Sequence, residues 1–301
     1  MRVAVTGAAG RLGRALVAAL EDAPFTGLGG PIGWPRAEFD LDTPEAIDAL
    51  LERDRPEIVV HAAAWTDVDG CARDPQLAML RNGGATRRLA AACAARRLDL
   101  VVVSTNEVFD GRRRDGRGYR PTDLANPINP YGVSKLAGEQ AAREAYAGLA
   151  GPQLAIVRTA WLFGPGGTDF PMKILAAAER ARGAAKPLRV VGDEWATPTY
   201  SLDLAEAIAE LLGSGSFAGT HHIVNGLFAT RADWARYVVG RAGIDVEVED
   251  VPGATWARPS TPPRWGVLEP TPLPSGEPLR VWPDAMADYA PILLRAWATS
   301  R

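Results

Sequence analysis

The run Thr6-Gly7-Ala8-Ala9-Gly10-Arg11-Leu12-Gly13 follows a short β-branched stretch, Val3 to Thr6. It opens a segment in which Leu12, Leu16, Ala19 and Leu20 recur at helical spacing. Glycines at this point let the backbone turn sharply and approach a pyrophosphate, while the start of the helix offers free N–H groups. A glycine pattern alone describes any tight strand-to-helix turn. Its place directly after the first strand of an alternating chain makes it a predicted dinucleotide site.

The alternation is plain in the first half. Ile58 to His61, Leu98 to Ser104 and Leu154 to Arg158 are apolar runs suited to buried strands. Helical stretches, Pro75 to Arg97 and Tyr131 to Tyr146, follow the first two. The expected class is α/β, a Rossmann-type doubly wound parallel sheet with a smaller C-terminal substrate-binding lobe. Ligands in such folds sit at the carboxyl ends of the strands. Residues 1–162 form the expected NAD(P)-binding domain, and 163–301 mainly the substrate-binding lobe. Thr220 to Asn225 is the predicted returning strand, with His221 and His222 on opposite faces in structural roles. Proline crowds 252–283, which predicts a long irregular connection before a last helix near Pro283 to Ala298.

Charge and composition narrow the partners. The net charge of −3 gives no electrostatic case for nucleic acid. No uninterrupted apolar run reaches membrane-spanning length, and the amino end lacks the apolar core of a signal peptide. Cys71 and Cys93 are the only cysteines, too few for a disulfide framework or zinc cluster, and are expected as reduced thiols of a cytoplasmic protein. No metal is predicted. Arg112, Arg113, Arg114, Arg117 and Arg120 crowd a glycine-rich stretch that reads as a solvated loop or as a lid meeting a phosphorylated ligand.

Between Ala23 and Ala37 no acidic residue is available for the ribose hydroxyls of NAD, whereas Arg36 suits the 2′-phosphate of NADP. Asp40 and Asp42 either approach the adenine or cap the next helix. NADPH is therefore the expected cofactor, with NADH possible. Tyr131 and Lys135 are four residues apart in a predicted helix and share a face. A nearby cation is expected to favour the phenolate and ease proton transfer. Thr105 ends a strand just upstream and suits a hydrogen bond to a substrate carbonyl. Together with the glycine turn, these residues predict ketone reduction by a nicotinamide.

These motifs resemble those of the extended short-chain dehydrogenase/reductases and, among them, the dTDP-4-dehydrorhamnose reductases. The matching stretches are His61-Ala62-Ala63-Ala64-Trp65-Thr66, Ser104-Thr105, Val108-Phe109-Asp110-Gly111, Asn129-Pro130-Tyr131-Gly132, Lys135 to Glu139, Arg158 to Trp161, Thr197-Pro198-Thr199 and Val224-Asn225-Gly226. The resemblance implies a reductase of the 4-keto group of a nucleotide-linked deoxysugar, monomeric or homodimeric. It implies Thr105, Tyr131 and Lys135 as the catalytic trio. Gly7, Gly10, Arg11, Leu12 and Gly13 match the cofactor loop, with Arg36, Asp40, Ala62, Ala63, Ala64 and Asn82 completing the cofactor site. Glu107, Trp161, Trp195, Thr197 and Tyr200, with Thr105, are implied on the substrate side.

The chain also departs from the family. Ser104 to Phe109 reads Ser-Thr-Asn-Glu-Val-Phe where the family usually has Ser-Thr-Asp-Tyr-Val-Phe, which puts the sugar in question. Thr-Asn-Glu is similar to the Thr-Asp-Glu of nucleotide-sugar 4,6-dehydratases, but the Asn106 amide is no proton donor of the required kind. Ala15 stands where some members carry a metal-linked glutamate. The alternatives to the reductase are a non-catalytic, NADP-binding regulatory subunit and a nucleotide-sugar dehydratase or epimerase.

Overall fold

The computed structural model describes every residue except Leu28, Ser300 and Arg301. β1 (Val3–Thr6) runs into α1 (Arg11–Glu21), and β2 (Ile32–Trp34) and α2 (Ile47–Asp54) precede β3 (Ile58–His61). After β3, the predicted helix Pro75 to Arg97 is broken. Short helices α3 (Val68–Arg73) and α4 (Pro75–Ala78) lead into a π-helical turn, Met79–Gly84, before α5 (Ala85–Ala95). Gly83 and Gly84 are poor helix formers in that turn, and π turns of this kind recur at functional sites. β4 (Asp99–Thr105), α6 (Pro130–Tyr146) and β5 (Leu154–Thr159) complete the first half.

The later chain is less regular. β6 (Leu162–Phe163), α7 (Phe170–Gly183), β7 (Leu188–Val191), β8 (Trp195–Ala196) and β9 (Thr199–Tyr200) lead to α8 (Ser201–Gly213). β10 (Gly219–His222), β11 (Ala229–Thr230), α9 (Arg231–Ala242), β12 (Val248–Val251) and α10 (Trp282–Thr299) follow. The central sheet is wholly parallel, in the order β2-β1-β3-β4-β5-β10. The returning strand is thus shorter than Thr220 to Asn225 at its far end. It brings α8 with it, which packs on α1 against one face of the sheet.

The apolar residues of the strands alternate between two cores. Val3, Val5, Val60 and Val157 meet α1 and α8, whereas Ala4, Val59, Val102 and Ile156 meet α2, α5 and α6. A separate core joins α7, α9 and α10 around Trp234, Tyr289 and Phe163, with β7 and β12 paired beside it. The chain order reverses at β1, whose neighbours are β2 and β3. This reversal opens a crevice at the carboxyl ends of β1 and β3, where the glycine turn begins.

Among the described residues no helix is long and apolar enough to cross a membrane. Residues 252–283 are irregular as expected, with one 3-10 turn and isolated bridges to Tyr119, Trp195 and Gly226.

Candidate active site

The crevice is shaped first by what glycine permits. Gly7 has φ of +67°, and a Cβ there would lie 2.9 Å from Ala63 Cα on the neighbouring strand end. A Cβ on Gly13 would collide with the Gly7 carbonyl, so α1 packs directly against the turn. Gly10 caps α1 without a side chain, and no acidic residue occupies that helix's first turn. Its open N–H groups therefore face the crevice without a competing carboxylate. Arg11 turns to the second lobe, donating from Nε to the Gly164 carbonyl at 2.9 Å and from Nη2 to Gly167 at 3.1 Å.

Beyond the turn lies a slot of about 270 Å³ between Phe39, Asp40 and Leu41 on one side and Trp65 and Arg81 on the other. Ala62, Ala63 and Ala64 line it. Arg36 stands at its edge, engaged by Asp40 at 3.2 Å. Asp40 Oδ1 also accepts from the Asp42 N–H, closing a turn and capping no helix. Arg81, which carries no signal in the sequence, lies over the Trp65 ring at 5.0 Å. Asn82 lines neither slot nor cleft. Its amide accepts from the Trp65 N–H and donates to the Trp65 carbonyl and Ser134 Oγ, so it supports the cofactor side from behind.

Thr105, Tyr131 and Lys135 converge on a cleft of about 430 Å³ that opens from the glycine turn and also takes in Glu107, Thr159, Trp161 and Arg231. The geometry is local in origin. Asn129 caps α6, its Oδ1 accepting from the Gly132 N–H at 2.8 Å, and Pro130 starts the helix one residue before Tyr131. Lys135 follows one turn later on the same face. The Thr105 hydroxyl accepts from the Glu107 N–H at 3.2 Å and donates to Asn106 Oδ1 at 3.3 Å.

Protonation differs from the expectation drawn from spacing. Lys135 donates to the Val103 carbonyl at 2.8 Å, and burial lowers its ammonium to about 8, against the pull of Glu139. Tyr131 is not shifted toward phenolate. Burial, and then the charge of Glu107, push the phenol up. Burial likewise raises Glu107, whose Oε2 accepts from Asn129 Nδ2 at 2.6 Å. Beneath the trio, Glu139 is fully buried and accepts from Ser104 at 2.6 Å and from Arg158 at 2.9 and 2.7 Å.

The substrate side divides the implied residues. Trp161 faces the cleft with its backbone at φ +42° and the Arg231 guanidinium 3.7 Å from its ring centre. Trp195 instead packs with Phe228 and Trp265, and Thr197 is buried outside the cleft. Tyr200 stacks on Phe163 and borders a different groove, with Asp203 and Arg280. Asn106 reaches the cleft wall, but its amide donates to the Gly266 carbonyl at 2.9 Å.

The arginine-rich loop is no lid. Arg113 is held by Asp115 and Asp123, Arg120 by Glu269, and the Arg117 carbonyl accepts from Trp265 Nε1; none of them lines the cleft. The basic side chains that do reach the site come from elsewhere. A groove of about 650 Å³ beside the cleft carries Lys173, Arg180, Arg189, Arg231 and Arg258. The only sequence trace of Arg231 is the capping box Thr230-x-x-Asp233 that starts α9 at it. Among the described residues no group of three His, Cys, Asp or Glu side chains is placed to hold a metal ion.

A family model described as RmlD substrate binding domain matches residues 1–292. The chain is 37% identical over 293 residues to a dTDP-4-keto-6-deoxy-D-glucose reductase of Streptomyces niveus, covering 96% of each chain. It is 36% identical over 300 residues to a dTDP-4-dehydrorhamnose reductase of Streptomyces griseus, covering 96% of this chain and 93% of that one. A crystal structure of dTDP-4-dehydrorhamnose reductase from Bacillus anthracis in complex with NADP superposes with a TM-score of 0.83 at 27% identity, covering 96% and 98% of the two chains.

Proposed function

The chain belongs to the RmlD substrate binding domain family, and from that premise we propose that it is an NADPH-dependent reductase of the 4-keto group of a dTDP-linked 6-deoxysugar. The observation that carries this reading is the convergence of Thr105, Tyr131 and Lys135 in one cleft continuous with the glycine turn. The named relatives support it, one acting on dTDP-4-dehydrorhamnose and one on dTDP-4-keto-6-deoxy-D-glucose.

The residues present fit a dinucleotide. Gly7 and Gly13 let the turn, the end of β3 and the start of α1 pack backbone to backbone, and the acid-free start of α1 suits a pyrophosphate. The reduced dinucleotide supplies the hydride. The chain supplies the rest. Tyr131 keeps its proton at neutral pH because it is buried beside Glu107, and it donates that proton to the substrate's carbonyl oxygen. Thr105, in the same cleft, orients the carbonyl with its hydroxyl. Lys135, charged below about 8 and fixed to Val103, stabilises negative charge growing on the phenol oxygen.

Trp161 under Arg231 forms the floor for the sugar. The neighbouring groove, with Lys173, Arg180 and Arg258, suits the charged diphosphate and its nucleoside. Residues 163–301 thus contribute Arg231 and the basic groove beside the cleft, while α8 and β10 return to the cofactor-binding sheet.

The test is oxidation of NADPH with each of the two 4-keto sugars, dTDP-4-dehydrorhamnose and dTDP-4-keto-6-deoxy-D-glucose, with Tyr131→Phe alongside. Turnover of at least one sugar by the wild type, lost in Tyr131→Phe with NADPH still bound, is the expected result. Tight NADPH binding with no turnover of either sugar would sink the reductase reading.

A further inference from the structure

Four charged side chains alternate in sign along a row at the mouth of the slot, Asp40–Arg36–Asp42–Arg81. Arg36 Nε lies 3.2 Å from Asp40 Oδ2, and Arg36 Nη2 lies 3.5 Å from Asp42 Oδ2. Asp42 receives Arg81 through both oxygens, Nε to Oδ1 at 2.6 Å and Nη2 to Oδ2 at 2.7 Å. Asp42 is therefore shared by both arginines, and the row carries two positive and two negative charges.

Its members are unequally fixed. The Arg36 side chain is 74% exposed, whereas that of Arg81 is 22% exposed and lies over Trp65. Arg36, Asp40 and Arg81 line the slot, and Asp42 bridges the two arginines at its rim.

We propose that Asp42 sets the slot's choice between phosphorylated and unphosphorylated dinucleotide, by holding Arg36 and Arg81 in ion pairs that a 2′-phosphate has to break. This rests on the dinucleotide reading above. A phosphate dianion is drawn to the arginines but repelled by both carboxylates, while a ribose hydroxyl donates to a carboxylate at no such cost. The carboxylates therefore act as the repulsive element against NADPH, and Arg36 as the attractive one. Asp42 weighs most because it neutralises two guanidinium groups at once. Its removal frees both to face the phosphate.

The experiment measures the dissociation constants of NADPH and NADH by quenching of tryptophan fluorescence, for which Trp65 is a reporter in the slot. Wild type, Asp42→Asn, Asp42→Ser and Arg36→Gln are compared, each checked for an unchanged melting temperature. Both Asp42 variants are expected to raise the preference for NADPH over NADH about tenfold, and Arg36→Gln to lower it by a similar factor. Added salt should shrink the difference between Asp42→Asn and wild type, because these charges are exposed. A preference unchanged in both folded Asp42 variants would overturn the inference while leaving the cofactor reading intact. A wild type that binds neither dinucleotide would overturn both.

Discussion

Asn129 Nδ2 donates to Glu107 Oε2 at 2.6 Å while Oδ1 of the same amide caps the helix that carries Tyr131 and Lys135. One side chain thus fixes both the proton donor and a carboxyl that faces the same space. The same Nδ2 also donates to the Thr261 carbonyl at 3.1 Å, tying the irregular 252–283 connection to the active site. Glu107 stands in place of the tyrosine that the family pattern leads one to expect. It sets a buried carboxyl in the cleft in place of an aromatic ring.

Glu107→Ala is therefore expected to lower kcat/KM for the sugar by ~10²-fold, the scale for a lost hydrogen bond to a charged group. NADPH affinity should be unchanged, since Glu107 does not line the slot beyond the glycine turn. Steady-state kinetics with a separate binding titration decide the point. A loss confined to NADPH affinity would contradict the placement.

Tyr131→Phe removes the proton donor and leaves the ring. Turnover should fall by ~10²–10⁴ with NADPH binding retained. Lys135→Met should reduce turnover as well. A Lys135→Met enzyme with wild-type kcat would show that the ammonium does not act on the phenol.

Lys135 also makes a pH prediction. Its ammonium titrates near 8, so kcat should decline as pH rises through that value, and Lys135→Met should lack this limb. The stability sign is opposite. Between about 8 and the ordinary lysine value of 10.5 the unfolded chain binds more protons than the folded one, so folding becomes more favourable as pH rises through this window. The charged lysine costs roughly 3 kcal/mol of stability below about 8, and that cost is relieved toward 10.5. Urea denaturation of wild type and Lys135→Met across this range measures it.

His61 governs the acid side. Its ring is buried between the Thr6 and Thr86 hydroxyls at 2.8 and 3.1 Å, and burial holds its pKa down to about 3. The unfolded chain binds a proton below 6.5 that the folded ring refuses. Stability should therefore fall by about 1.4 kcal/mol for each pH unit below 6.5 from this group alone. His61→Gln should show a shallower acid slope in the same denaturation assay, whatever its stability at neutral pH. An equal slope would place the acid sensitivity elsewhere.

Arg231→Met retains an unbranched side chain over Trp161 but removes the charge. Burial depresses the guanidinium to about 10, so the protein invests stability in keeping it at the junction of cleft and groove. The variant should raise KM for the nucleotide sugar by ~10-fold or more with no loss of melting temperature. A lower melting temperature with an unchanged KM would assign Arg231 to structure alone.

The amino-acid sequence by itself determined the parallel sheet, the glycine turn at the end of β1 and the shared face of Tyr131 and Lys135. The last two follow from residues within one turn of each other, where spacing fixes geometry, and the sheet follows from the regular alternation of apolar strand runs with helical stretches. Tertiary structure alone decided which distant side chains enter the site. Arg81 arrives on another element with no local signature and Arg231 with only a helix-start signal, whereas Asn82, Trp195 and Tyr200 turn into packing behind or beside it. It decided the charge states too. Spacing placed a cation near a phenol and so suggested a lowered phenol pKa. The fold buried both groups, hung the lysine on Val103 and set Glu107 beside the tyrosine, so desolvation and the carboxyl, not the lysine, govern the phenol. Burial is a property of the whole packed chain, which no short stretch of sequence contains.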